Sequence, residues 1–145
     1  MKAKVLFVCV HNSARSQMAE AFLNHHCSND FIAESAGLEP GKLNPLVVRA
    51  MAEIGIDISK KSTQGVIELF KASRIFGHVI TVCDQASGEK CPVFSGYAIR
   101  HHWCFGAPSV LNGSDEEKLA GIRVIQNEIR ATIRQWCASE STIAC

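Results

Sequence analysis

No stretch of this 145-residue chain approaches the roughly 18 consecutive apolar residues that a membrane span requires, so no membrane partner is expected. Nor does the chain begin with a charged-then-apolar leader and small-residue cleavage site, since it runs straight into Val5-Leu6-Phe7-Val8. A cytoplasmic location is the expectation. Charge of one sign is equally scarce: 15 Lys and Arg stand against 14 Asp and Glu, for a net charge of +1. That balance offers neither the basic footprint of a nucleic-acid binder nor steering of acidic substrates. No internal repeat, low-complexity tract or interdomain linker divides the sequence, which predicts one domain over residues 1–145, acting as a monomer.

What the chain has in number is cysteine, at positions 9, 27, 83, 91, 104, 137 and 145. Seven is many for a reducing compartment, and an odd count argues against a static disulfide framework, so catalytic or redox use is favoured. Zinc binding would need Cys pairs two to four residues apart. Cys83 and Cys91 are eight apart with no matching His pair after them, so zinc is not expected.

One of these cysteines opens the most informative run in the chain. Cys9-Val10-His11-Asn12-Ser13-Ala14-Arg15-Ser16 lies between the apolar Val5-Leu6-Phe7-Val8 and the helix-like Gln17-Met18-Ala19-Glu20-Ala21-Phe22. Five residues between Cys9 and Arg15 let a strand-to-helix loop curl until its amides point inward, and the helix adds the positive end of its dipole. The candidate oxyanion-binding residues are Val10, His11, Asn12, Ser13, Ala14, Arg15 and Ser16. A tetrahedral dianion suits such a loop. The same field favours the nucleophilic thiolate of Cys9, and the Arg15 guanidinium can grip two anion oxygens. The alternative is a small apolar Cys ending a buried strand; the Arg-Ser pair at the other end of the loop favours catalysis.

A second constellation spans Thr81-Val82-Cys83 to Cys91-Pro92, with Ser87-Gly88 between the two thiols. Parallel neighbouring strands end at similar heights, so Cys83 can stand near Cys9 and a thiol relay becomes possible. Two unrelated thiols are the alternative.

Apolar periodicity predicts strands at 4–8, 31–35, 78–82 and 97–103, alternating with helices at 16–26, from Asn44-Pro45 to a stop at Gly55, at 65–72, and from the capping box Ser114-Asp115-Glu116-Glu117 onward. Helix 16–26 is expected to show one apolar face, Met18, Ala19, Phe22 and Leu23. Alternation of this kind predicts an α/β protein, a three-layer αβα domain around a four-stranded parallel sheet. Ligands in such sheets sit beyond the carboxyl ends of the strands at the switch in strand order, where the first strand would deliver Cys9. The connections 37–44 and 84–95 are expected on the rim of that site.

The residues Val8-Cys9 with His11-Asn12-Ser13-Ala14-Arg15-Ser16-Gln17-Met18-Ala19-Glu20, Glu34-Ser35-Ala36-Gly37, Asn44-Pro45, Gly55-Ile56-Asp57-Ile58-Ser59, Cys83, Cys91-Pro92 and Trp103 together resemble the thioredoxin-coupled arsenate reductases. The resemblance runs nearly end to end. It implies the low-molecular-weight protein tyrosine phosphatase fold; Ser-Gln-Met-Ala-Glu, where the phosphatases usually have Ser-Pro-Met-Ala-Glu, together with the two later cysteines, points to the reductases. Carried onto this chain, it implies that Cys9 attacks arsenate, with phosphate as a competitor. Arg15 and the loop amides then stabilise the oxygens, Ser16 hydrogen-bonds the thiolate, and Asn12 braces the loop. It further implies that Cys83 resolves the Cys9 adduct and that Cys91 passes the disulfide on to thioredoxin, an external reductant, so that no bound cofactor is needed. The family's alkali-ion sites use an acid near Thr63-Gln64, where this chain has none, and no metal is expected.

Two departures stand out. Ala14 occupies a place where family members commonly carry a further Cys. More consequentially, Trp103-Cys104-Phe105-Gly106-Ala107-Pro108 places Ala107 where the phosphatases have their general acid, with Asp84, Asp115, His101 or His102 as conceivable substitutes. A phosphatase, or a non-catalytic oxyanion-binding or redox-sensing module, are the competing functions. Elsewhere, Cys27, Cys104, Cys137 and Cys145 have no partner at a meaningful spacing and read as structural, His101-His102 as a strand-end pair, His25-His26 as cations suiting a helix end, and Lys60-Lys61 as a solvated face.

Overall fold

In the computed structural model, which describes residues 2–72, 75–82, 99–106, 108 and 111–144, strand and helix alternate as expected. Cys83, Cys91, the connection 84–95 and Ala107 lie outside the described residues, as do the first two positions of the expected strand 97–103. The strands β1 (Ala3–Cys9), β2 (Phe31–Gly37), β3 (His78–Thr81) and β4 (Ile99–His102) pair in the order β2-β1-β3-β4, every pair parallel. The helices are α1 (Arg15–His26), α2 (Pro45–Glu53), α3 (Val66–Lys71) and α4 (Asp115–Ala144).

β1 is central, and its unbroken apolar run is the mark of a parallel strand covered on both faces. Val5, Phe7 and Cys9 face a core shared with Met18 and Phe22 of α1, Met51 of α2 and Ile122, Ile129 and Ile133 of α4. Leu6 and Val8 point the other way, against Val66 and Leu69 of α3 and Phe76. Three layers result. With β2 on one side of β1 and β3 on the other, the strand order reverses at β1, and the crevice this creates opens at Cys9.

Local chemistry sets the helix ends. The Asn44 side chain accepts from the amides of Leu46 (2.9 Å) and Val47 (3.4 Å), with Pro45 at the first helical position, an arrangement that contributes about 1 kcal/mol. Beyond α2, Gly55 takes φ +84°, which an L side chain rarely adopts. At α4 the expected capping box forms: Ser114 Oγ accepts from the Glu117 amide at 3.2 Å, and Glu117 Oε1 accepts from the Ser114 amide at 3.4 Å.

One expectation is extended here and another corrected. The apolar face of α1, Met18, Ala19, Phe22 and Leu23, is fully buried in the core as expected, but the polar residues Arg15, Ser16, Gln17 and Glu20 are buried as well. The helix lies between the sheet and α4, so these four must find partners inside the protein. And Cys27 and Cys137 are not unpartnered: they form a disulfide across 110 residues, joining the C-cap of α1 to α4 with their Cα atoms 6.5 Å apart. A separation of that size carries no local signal. The helix packing that creates it is a tertiary fact.

Closing so long a loop restricts the unfolded chain, an effect worth typically about 2–4 kcal/mol. Cys27→Ala is therefore expected to lower the unfolding free energy by about that amount in guanidinium titrations, and to abolish the difference between oxidised and reduced wild-type protein. Equal stability of wild type and variant under oxidising conditions would show that the bond contributes nothing.

Candidate active site

The loop from Cys9 to Arg15 is held open by its neighbours. The carbonyls of Cys9, Val10, His11 and Ser13 accept from the amides of Leu38 (3.2 Å), Glu39 (2.8 Å), Gly41 (2.9 Å) and Asn44 (2.9 Å). A trans peptide points its N–H opposite to its C=O, so tying these carbonyls outward turns the following amides toward the centre of the loop. This is the physical role of segment 37–44, which does lie on the rim. Its first residue has to be glycine: a Cβ on Gly37 would sit 2.7 Å from the Val10 carbonyl oxygen and 2.9 Å from the Asn12 nitrogen.

Cys9 ends β1 with 3% of its surface exposed. Its sulfur receives the Asn12 amide at 3.0 Å and lies 2.9 Å from Ser16 Oγ. The direction of the second bond follows from its neighbour. Asn12 Nδ2 donates to Ser16 Oγ at 2.8 Å, so the serine keeps its own proton for sulfur. Two donors converge on Cys9 Sγ, the environment an anionic nucleophile needs.

Above the sulfur is a pocket of about 40 Å³ lined by Cys9, His11, Ser13, Ala14, Arg15, Asn44 and Pro108. One water needs roughly 10–15 Å³ on the same footing, so the space suits one small ion. The buried Arg15 side chain enters from the first turn of α1 and is oriented by a bond from Nη1 to the Phe105 carbonyl, 3.1 Å. Among the described residues no side chain caps the N-terminus of α1, and its first turn has no acid, so its positive end faces the site where an anion would bind. His11 is turned to the rim, Nδ1 donating to the Glu39 carbonyl at 3.0 Å.

Behind the loop lies a buried polar network that starts at Asn12, whose φ of 55° is the left-handed exception among non-glycine described residues. Asn12 Oδ1 accepts from the Gln64 amide (3.0 Å) and from Gln17 Nε2 (3.2 Å). Gln64 Nε2 donates to the Ser35 carbonyl at 2.8 Å, and the Ser35 hydroxyl donates to Glu20 Oε1 at 3.1 Å. Glu20 Oε2, which no hydroxyl or amide of the described residues reaches, takes the Lys61 ammonium in an ion pair. Lys61 is therefore not part of a solvated face with Lys60. Half-burial pushes its ammonium below the usual lysine range, and Glu20 is what holds the charge there. Removing Lys61 strands a buried carboxylate. Breaking wholly buried pairs costs about 3–5 kcal/mol; with Lys61 half exposed, Lys61→Met is expected to cost about 2 kcal/mol in urea denaturation. Adding Glu20→Gln should restore part of the loss, and a strictly additive double variant would contradict the pairing.

Of the residues singled out from sequence, the structure brings together Cys9, Asn12, Arg15 and Ser16, with Val10, His11, Ser13 and Ala14 forming the loop between. The histidine pairs stand at the ends of β4 and α1 as expected, with contacts the spacing does not show. His102 contacts Thr81 and Cys104, His101 contacts His78, and burial, aided by Arg134, pushes His26 down, away from a helix-end cation. Asp115 is exposed on α4 at the edge of a neighbouring groove. What sequence reading missed is the support behind the loop, Gln17, Ser35, Gln64 and Lys61, and the Phe105 carbonyl. Backbone acceptors and long-range pairs leave no spacing to read. Among the described residues no three His, Cys, Asp or Glu side chains cluster to hold a metal, and no helix is long and apolar enough to cross a membrane.

Comparison with known proteins adds independent findings. A family model described as low molecular weight phosphotyrosine protein phosphatase matches residues 4–140. An arsenate reductase of Shouchella clausii is 38% identical over 136 residues, 93% of this chain and 95% of its own length. Among solved structures, an arsenate reductase in the phosphate-binding state superposes with a TM-score of 0.71 at 30% identity, covering 96% of this chain and 98% of that one. A Corynebacterium glutamicum thioredoxin-dependent arsenate reductase gives 0.60 at 27% identity, covering 92% of this chain and 63% of its own.

Proposed function

Because the chain belongs to the low molecular weight phosphotyrosine protein phosphatase family, among relatives that are arsenate reductases, we propose that it reduces arsenate to arsenite, using Cys9 as nucleophile and thioredoxin as the external reductant. The observation that carries this reading is the Cys9 sulfur at the floor of a small anion pocket, with two hydrogen-bond donors on it and a buried arginine at its side.

Arsenate binds on the inward amides and the Arg15 guanidinium, and a similar arsenate reductase has been solved in a phosphate-binding state. The Cys9 sulfur attacks arsenic, an As–S bond forms, and one arsenate oxygen leaves as water with protons from the anion and solvent. Cys83 then attacks the Cys9 sulfur. The As–S bonding pair stays on arsenic, which becomes arsenite, and a Cys9–Cys83 disulfide remains. Cys91 attacks Cys83, freeing Cys9, and the Cys83–Cys91 disulfide is reduced by thioredoxin in the cytoplasm, where such reductants keep thiols reduced. The two relay assignments rest on the sequence: one thiol two positions past the last residue of β3, the neighbour of β1, and a second eight residues on.

Arsenate chemistry also tolerates the alanine at position 107. Expelling an ester oxygen profits from a positioned acid by about 10²–10⁴-fold, whereas arsenate can lose one of its own oxygens as water. This favours the reductase over the phosphatase.

The relay separates into two blocks. Cys83→Ser is expected to bind arsenate yet release no arsenite, and Cys91→Ser to complete one turnover and stall as a Cys9–Cys83 disulfide, seen by mass mapping of unreduced peptides. Sustained turnover by either variant with thioredoxin would mean that the relay runs through other thiols.

A further inference from the structure

A second set of nucleophilic and basic side chains stands at the carboxyl end of β4, on the exposed Cys104 that sequence reading left as a structural residue. Thr81 and His102 are register partners in the β3–β4 pair, which brings Thr81 Oγ1 and His102 Nδ1 to 2.6 Å. Thr81 Oγ1 also donates, over a longer 3.4 Å, to the His101 carbonyl, an oxygen that can only accept. The far nitrogen of the same imidazole, Nε2, faces Cys104 Sγ at 3.2 Å, and in the tautomer protonated on Nδ1, with Thr81 Oγ1 accepting there, its lone pair is aimed at the thiol. A thiol, an imidazole and a hydroxyl on the imidazole's far nitrogen are in line, an arrangement suited to activating a nucleophile. None of the three takes part in the chemistry at Cys9.

Cys104 is also one peptide away from the anion site. The next residue, buried Phe105, offers the carbonyl on which Arg15 Nη1 rests.

We propose that Cys104 is a modification site, a base-activated thiol that exchanges with low-molecular-weight disulfides and, once thiolated, weakens oxyanion binding through Phe105 and Arg15. In the exchange His102 Nε2 takes the Cys104 proton, and the thiolate attacks one sulfur of the disulfide. A Cys104–S–S–R bond forms as the R–S–S–R bond breaks, and the departing thiolate leaves as RSH with the proton from the imidazolium. The Cys104 sulfur is oxidised, the departing sulfur is reduced, and a free thiol reverses the step.

The test uses oxidised glutathione as the probe on the whole protein, with phosphate present to shield Cys9, and reads the glutathione adduct at Cys104 by peptide mass mapping. Adduct formation in wild type is expected at least about tenfold faster than in His102→Gln, a cautious fraction of what a positioned base supplies. Thr81→Val, which keeps the base but frees its orientation, should fall between the two. Thiolated wild type should bind phosphate at least about fivefold more weakly by calorimetry and recover on treatment with dithiothreitol, while Cys104→Ser treated in the same way keeps its affinity. Equal rates at Cys104 in wild type and both variants, or unchanged phosphate affinity after thiolation, overturn the proposal. Both readouts are independent of arsenate turnover, so they stand or fall apart from the reductase reading.

Discussion

Cys9→Ser is expected to abolish arsenate reduction, lowering the thioredoxin-coupled rate by at least about 10⁴-fold, while phosphate affinity changes by no more than about threefold. The reason lies in what touches the sulfur. A serine oxygen can still accept from the Asn12 amide and meet Ser16, so the loop and its inward amides persist. A neutral hydroxyl, however, is a poor nucleophile and cannot form the disulfide that returns electrons from arsenic. Binding and chemistry therefore separate in one variant. Residual turnover above about one per cent of wild type would move the reaction to another thiol.

The second large effect is expected at Arg15. Arg15→Lys keeps the positive charge but loses both the fork that holds two anion oxygens and the bond to the Phe105 carbonyl. Losing one preorganised donor to a developing oxyanion costs about 10²–10³-fold, and kcat/KM for arsenate should fall by that much. Steady-state kinetics decide it: a lysine enzyme within fivefold of wild type would mean that net charge, and not the fixed guanidinium, does the work.

The parts of this protein that were legible in the sequence share a physical property. They are local. The Asn44-Pro45 cap, Gly55 and the Ser114–Glu117 box are fixed by residues within a few positions of one another, and the structure shows each where spacing placed it; the Cys9–Arg15 motif is as local in its spacing, although segment 37–44 and Gln64 hold its loop open. The parallel sheet followed from alternation, and the site from the rule that ligands gather where strand order reverses. The parts that escaped notice depend on which helix lands on which. Cys27 and Cys137 meet only because α1 packs against α4, and Lys61 looks like surface until the buried carboxylate of Glu20 is placed beneath it. Periodicity also gave only one side of α1. Its polar residues lie at positions that a two-sided helix would expose, but here they are the internal partners of the loop, Ser16 to Cys9 and Gln17 to Asn12. Cys104 and His102 are two residues apart and yet unread, because their alignment depends on Thr81 from the neighbouring strand.

The most direct measurement is NADPH oxidation by the wild-type protein with thioredoxin, thioredoxin reductase and arsenate, alongside arsenite release. Cys9-centred reduction predicts one NADPH consumed per arsenite formed, no consumption when either arsenate or thioredoxin is left out, and inhibition by phosphate. Hydrolysis of an aryl phosphate without any arsenate-dependent NADPH oxidation would contradict the assignment and return the chain to the phosphatases whose fold it shares.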